Sequence, residues 1–236
     1  MKSMNTLAME QQVIKDYEAL EPKQADSWNP VFSDFELFYR LALIHAATNA
    51  IRKSEINIDA LEVLDFGCGN GRSSRLYIDL GLQPSQITGI DVREGSVELA
   101  KKLNTSVKFA LYDGVNIPSN DKPFNWVNLA TVVSSIKDPE HRKKLAEKIW
   151  DILPVGGYLI YFDLINANDF AGGDKINPRE VFSGFSEVHH QEYCYWRMMQ
   201  EFNAASLGKV HLNYCRIKEA FVGNEPSHEA ILFRKI

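Results

Sequence analysis

Leu61-Glu62-Val63-Leu64-Asp65-Phe66-Gly67-Cys68-Gly69-Asn70-Gly71-Arg72-Ser73-Ser74 decides how the rest of the chain is read. A short apolar run passes through an acid into alternating glycines and then into residues that suit a helix. That order predicts a strand, a tight turn and a helix start. Glycine tolerates positive φ and lets the backbone come close to a ligand, and a helix start presents N–H groups that lack intrahelical partners. A ligand with a polar, hydrogen-bonding head is expected on this turn.

Working outward, apolar runs alternate with helical stretches. After the strand Leu61 to Phe66 come a helix (Arg72 to Leu80), a strand (Gln86 to Val92), a helix (Glu94 to Leu103) and a strand (Val107 to Tyr112). Asn125 to Val133 predicts a fourth strand, Pro139 to Ile152 a helix, and Tyr158 to Leu164 a fifth strand after the turn Leu153-Pro154-Val155-Gly156-Gly157. This alternation predicts an α/β fold, a parallel sheet wound by helices. Pro178 opens a short helix, and Ser186 to Tyr193 and Glu229 to Ile236 read as two further strands. Upstream, Leu7 to Leu20 reads as a helix, and the S-x-x-E pattern of Ser33 and Glu36 caps a second one that runs to about Lys53. The chain thus divides into an N-terminal helical cap or lid (1–57) and an α/β domain (58–236). That domain carries a variable, aromatic-containing insertion around 194–228.

Composition excludes several classes. Hydrophobic residues at 45% and charged residues at 24% rule out a disordered chain. A formal charge of −5 argues against a protein that grips a phosphate backbone, so no nucleic-acid partner is expected. Cys68, Cys194 and Cys215 lack metal-site spacing and favour a reducing compartment. No run reaches the length of a membrane span, and a cytoplasmic protein, compatible with a homodimer, is the expectation.

Three acids follow successive strand ends: Asp65, Asp91 and Asp113. In an open parallel sheet these ends face one crevice. A carboxylate at Asp91 suits the two hydroxyls of a ribose, and Asp113 can accept from the exocyclic amine of a purine. A dinucleotide and S-adenosylmethionine both answer this description. The dinucleotide fingerprint G-x-G-x-x-G places its third glycine where this chain has Arg72.

At this point the sequence resembles the class I S-adenosylmethionine-dependent methyltransferases. Val63 to Gly71 is similar to their first motif, Ile90-Asp91 to their ribose-binding acid, Tyr112-Asp113-Gly114 to their adenine-contacting segment, and Leu153 to Gly157 to the turn before their fifth strand. The resemblance covers Leu61 to Leu164. It implies a Rossmann-like, seven-stranded, mostly parallel sheet with helices on both faces and an antiparallel C-terminal strand. It also implies S-adenosyl-L-methionine as cofactor and S-adenosyl-L-homocysteine as product. Cofactor contacts are then expected from Asp65, Gly67, Cys68, Gly69, Gly71, Asp91, Val92, Tyr112, Asp113, Gly114, Ala130 and Thr131, with Tyr17 covering the site from the N-terminal side.

The reaction implied is in-line displacement, in which the protein aligns an acceptor and removes its proton. Asp163, near the end of the fifth strand, is the first candidate for a base or acceptor-binding group; the other reading has it capping the Asn166-Ala167-Asn168 turn. His190 is a second candidate base, set against an ordinary core or surface histidine. Its neighbour His189 points to the opposite face of a strand, so the two do not share a metal, and no metal is expected. Tyr39, Arg179 and Trp196 are candidate acceptor contacts, set against packing for the aromatics and an ion pair for Arg179. Ala130 to Ser135 lacks the Pro-Pro-aromatic cluster of enzymes that methylate amines of nucleic acids. Its composition is similar to bacterial methyltransferases, some of them linked to surface polysaccharides, and a small-molecule or sugar/glycan acceptor is the expectation. Two competing functions stay open: an NAD-type Rossmann oxidoreductase and a non-catalytic S-adenosylmethionine-binding regulatory protein.

Overall fold

The run Val63–Phe66 forms the first strand (β1), buried at every position. Its side chains alternate across the sheet, Val63 into one apolar core and Leu64 and Phe66 into another. The computed structural model describes residues 6–18, 34–165, 176–194 and 226–236. The other described strands are β2 (Ile87–Asp91), β3 (Lys108–Leu111), β4 (Trp126–Ala130), β5 (Tyr158–Leu164), β6 (Phe185–Tyr193) and β7 (His228–Lys235). The described helices are α1 (Thr6–Glu18), α2 (Asp34–Ser54), α3 (Arg72–Asp79), α4 (Glu94–Leu103), α5 (Pro139–Ile152) and the single turn α6 (Pro178–Val181).

All seven strands join one sheet in the order β3-β2-β1-β4-β5-β7-β6. Pairing is parallel from β3 to β5, and β7 runs antiparallel to both of its neighbours. The fold is therefore the expected Rossmann-like one. Strand order reverses between β1 and β4, which opens a crevice at the carboxyl edge of the sheet.

Helices cover both faces. On one, Ala42, Ala46 and Ala50 of α2, Leu76 and Tyr77 of α3, and Val97 and Ala100 of α4 pack against the sheet. On the other lie Leu145 and Ile149 of α5 with Phe182 just past α6. Alanines along α2 bring its backbone close to the sheet, so this helix belongs to the core layer of the domain. Of the N-terminal segment's described residues, α1 lies across the carboxyl edge, where Glu10 Oε1 accepts from His141 Nε2 at 3.1 Å and Asp16 pairs with Lys137 at 2.9 Å.

One strand ends sooner than its apolar run predicts. The chain leaves β4 at Thr131, whose φ of 56° is left-handed, and Val133–Ser135 forms a 3₁₀ turn. A β-branched residue is disfavoured there. Phe162 and Asp163 of β5 hold the departure: Thr131 N donates to the Phe162 carbonyl at 2.7 Å, and Ser134 N to Asp163 Oδ2 at 3.0 Å. The expected Ser33–Glu36 box, the Tyr17 side chain, Cys215, and Trp196 with the insertion over 195–225 lie outside the described residues. No described helix is long and apolar enough to cross a membrane.

Candidate active site

Beneath the glycine turn sits a buried carboxylate. Asp65, 0% exposed, accepts from Ser73 Oγ at 2.7 Å, from Ser74 Oγ, and from Asn128 Nδ2 at 2.7 Å. The chain of donors continues: Tyr77 Oη donates to Asn128 Oδ1 at 3.0 Å and accepts from Trp126 Nε1 at 2.8 Å. Every link fits an Asp65 that only accepts, because indole N–H and amide NH₂ are donors alone. Burial raises the Asp65 pKa, and the two serines and Asn128 oppose that rise. This network locks β1 and β4 to the start of α3.

Above it, the turn has three glycines in the left-handed region, and at two of them a Cβ has no space. Gly67 (φ 75°) leaves no room for a side chain, since a Cβ would meet Val132 Cγ2 at 2.6 Å. At Gly71 (φ 79°) a Cβ would meet Asn104 Nδ2 and Phe109 at 2.8 Å. The N–H groups of Gly67 and Cys68 both donate to the Ile90 carbonyl, at 2.8 and 2.9 Å, which draws the turn over the end of β2. There Asp91 Oδ2 accepts from Gly69 N at 2.8 Å, and Oδ1 accepts from Arg93 N at 2.9 Å and Arg93 Nε at 3.3 Å. The carboxylate is thus fixed in orientation while it forms part of a cavity wall.

That cavity, about 340 Å³, runs along the carboxyl edge from β2 to β7, a size ordinary for a small-molecule site. Its β2 end is formed by Asp91, Val92 and Tyr112, with Ile136 and Leu145 on the facing side and Glu10 and Val13 of α1 across the top. The glycine turn contributes Gly67, Cys68 and Asn70, and the start of α3 adds Arg72 and Ser73. Burial pushes the Cys68 thiol well above its ordinary pKa, helped by the charges of Asp65 and Asp91, so Cys68 is a neutral wall group. Toward β7 the wall becomes Ala130, Thr131, Leu164, His228 and, from α2, Tyr39 and Leu43. Thr131 Oγ1 donates to the Ala130 carbonyl at 2.7 Å, so the Tyr39 hydroxyl, 3.3 Å away, donates to Thr131.

Of the residues singled out from sequence, the structure brings Gly67, Cys68, Asp91, Val92, Tyr112, Ala130, Thr131 and Tyr39 to this cavity. Gly69 and Gly71 shape the turn without lining it, and Asp65 lies below it. Asp113 caps its own loop, accepting from Val115 N at 2.8 Å and from Asn116 N at 2.6 Å, which holds its pKa down at about 2. Gly114 lines a smaller neighbouring cavity of about 240 Å³. Asp163 faces away from the cavity: it is 0% exposed, and its two oxygens accept from Ser134 N and Leu164 N. Burial lifts its pKa to about 6. It therefore anchors the 3₁₀ turn after β4. Arg179 pairs with Glu187 at 2.7 Å and reaches Glu229 at 3.8 Å, and His190 meets the same Glu229 at 3.1 Å; neither joins the cavity. Among the described residues no group of three or more His, Cys, Asp or Glu is placed to hold a metal.

Sequence reasoning missed Arg93, Ser73, Glu10, His141 and His228. A signal existed for Arg93, since a residue two beyond a strand-end acid can turn back on it. His228 carried none, because its place depends on the direction of β7.

Residues 63–157 match a family model described as a methyltransferase domain. The chain is 31% identical over 120 residues to the phthiotriol/phenolphthiotriol dimycocerosates methyltransferase of Mycobacterium tuberculosis, a stretch covering 50% of this chain and 43% of that protein. It is 28% identical over 193 residues to the probable S-adenosyl-L-methionine-dependent methyltransferase TehB of Haemophilus influenzae, covering 79% of this chain and 63% of that one. The chain thus spans less than two thirds of either relative. In fold it is similar to the N-methyltransferase NodS of Bradyrhizobium japonicum, solved with S-adenosyl-L-homocysteine. The TM-score is 0.60 at 14% identity, over 96% of this chain and 98% of that one. The matched stretch runs from β1 to the turn before β5, through every strand of the β2 end of the cavity, so it is this part of the chain that is similar to a methyltransferase domain.

Proposed function

We propose that this chain is an S-adenosylmethionine-dependent methyltransferase acting on a small-molecule acceptor. The observation that carries the reading is Asp91, a carboxylate at the end of β2 held by Gly69 N–H and Arg93 on the wall of a long cavity. The donor set suits the cofactor. Asp91 takes the ribose hydroxyls, Val92, Tyr112, Ile136 and Leu145 flank the adenine, and the turn at Gly67 with the start of α3 receives the amino-acid arm. When bound, the cofactor supplies a methyl group on a positively charged sulfur, ready for in-line displacement. The chain's part is to hold the acceptor in line at the β4–β7 end and exclude water. That end is lined by Tyr39, Leu43, Leu164 and His228, an apolar wall with few polar groups, which favours an acceptor with an apolar body and one nucleophilic hydroxyl or amine over a glycan.

Calorimetric titration with S-adenosylmethionine, S-adenosylhomocysteine and NAD tests the cofactor. Binding of the adenosyl compounds with no response to NAD is expected, and saturable NAD binding alone would overturn the reading. Release of S-adenosylhomocysteine across a panel of hydroxylated and amino acceptors separates an enzyme from a protein that only binds the cofactor.

A further inference from the structure

The β7 end of the cavity holds a titratable ring that the cofactor reading leaves unused. His228 opens β7 opposite Leu164 of β5. It is buried, lines the cavity, and stacks on Phe162 with centroids 5.4 Å apart and planes at 21°. Phe38 and Tyr39 meet it edge-on, at 5.9 and 6.0 Å. Beside it, Ser227 Oγ donates to the Tyr193 carbonyl at 3.3 Å and lies 3.0 Å from His228 Nδ1. Where that hydroxyl gives its single hydrogen to the carbonyl, it meets Nδ1 as an acceptor. Nδ1 then carries the ring proton and Nε2 the lone pair.

We propose that His228, set in this tautomer by Ser227, is the catalytic residue that takes the proton from the methyl acceptor. The proposal rests on the methyltransferase reading above. The acceptor's oxygen or nitrogen bonds to the methyl carbon while the carbon–sulfur bond breaks and leaves its electron pair on sulfur. The acceptor's proton passes to Nε2, and the imidazolium later releases it to water. One positive charge disappears from sulfur as one arrives on the ring, so the cavity's net charge is unchanged, and the dry environment does not oppose the step as it would a newly created charge. The face of Phe162 favours the cation that forms. Burial lowers the His228 pKa to about 4, which keeps the ring neutral and able to accept before transfer. Ser227 is a positioning residue: it fixes which nitrogen accepts. Glu229, next on β7, turns to the other side of the sheet, where it meets His190 and Arg179.

The tautomer can be read directly by nitrogen NMR of the full chain labelled at histidine, with the His228 signals assigned through His228→Gln. A protonated Nδ1 and an unprotonated Nε2 are expected, with and without S-adenosylhomocysteine. A proton on Nε2 in the neutral ring would overturn the proposal, whether or not any acceptor turns over. Ser227→Ala is expected to mix the two tautomers. With an acceptor from the panel, His228→Gln should lower kcat on the order of 100-fold and leave the calorimetric affinity for S-adenosylmethionine within about threefold, which also reports that the variant folds. Unchanged kcat would likewise overturn the role of His228. Absence of S-adenosylmethionine binding by the wild-type chain would instead overturn the cofactor reading, and the tautomer measurement keeps the two failures apart.

Discussion

The two ends of the cavity are built in different ways. At the β1–β2 end the backbone does most of the work: Gly67 and Cys68 N–H reach the Ile90 carbonyl, Gly69 N–H reaches Asp91, and the residues involved lie within one β-α-β unit. At the β4–β7 end the wall is assembled from side chains far apart in the chain, Tyr39 from α2, Thr131 from the end of β4, Leu164 from β5 and His228 from β7. The first end can hold one kind of ligand wherever the fold occurs, because its geometry is that of the turn. The second changes with any of four separate segments, which is how one fold comes to serve different acceptors.

Within the first end, Asp65 and Asp91 sit at neighbouring strand ends and divide the labour, one under the turn and one on the wall. Asp65→Ala should break this pairing most severely, lowering the unfolding free energy by about 4 kcal/mol in urea titrations, because three buried donors at about 1–3 kcal/mol each lose their acceptor. A loss below about 1 kcal/mol would show that the clamp under the turn is dispensable.

The second end predicts opposing pH dependences. Asp163 binds its proton more tightly when folded, so it favours the folded state below its ordinary pKa of 3.8, and that contribution fades as pH rises to about 6. His228 binds its proton more weakly when folded; its contribution is complete above 6.5 and is lost as pH falls to about 4. Each is worth on the order of 3 kcal/mol at 1.36 kcal/mol per pKa unit. Stability profiles between these limits should therefore tilt in opposite directions in Asp163→Asn and His228→Gln. Parallel profiles for the two variants would refute the assignment.

Asp91→Ala should cost stability about 1–2 kcal/mol, less than Asp65→Ala because Asp91 reaches the cavity wall, and weaken S-adenosylmethionine binding by about 2 kcal/mol, roughly thirtyfold, by calorimetry. If it destabilises as much as Asp65→Ala, the division between clamp and wall is wrong. The smallest effect is expected at Thr131. Asn tolerates its left-handed φ better, so Thr131→Asn should raise thermal stability by about 0.5 kcal/mol while slowing turnover through loss of the Tyr39 contact.

The same contrast explains what the sequence reveals. The turn, the strand ends and Asp91 are legible because each depends on residues a few positions apart. That Asp65 lies wholly beneath the turn while Asp91 reaches the cavity wall depends on Asn128, which only the pairing of β1 with β4 brings alongside. Asp163 could have been separated from the site by parity: Phe162 and Leu164 share one side of β5, and Asp163 takes the other. For Arg179 the ion-pair alternative is legible, but the partner it shares with His190, Glu229, comes from a strand late in the chain. Thr131 gives no local sign of leaving its strand, since a β-branched residue suits extended backbone.

The reversed direction of β7 also sets a timetable. Its N-terminal end, and so His228, reaches the carboxyl edge only after β6 and the following segment have been synthesised. At ribosomal speeds of about 5–20 residues per second, the β1–β2 end has on the order of ten seconds of existence before the proposed base is made. On the proposed reading, the nascent domain would during that interval have a seat for the methyl donor before it has the residue that takes the acceptor's proton.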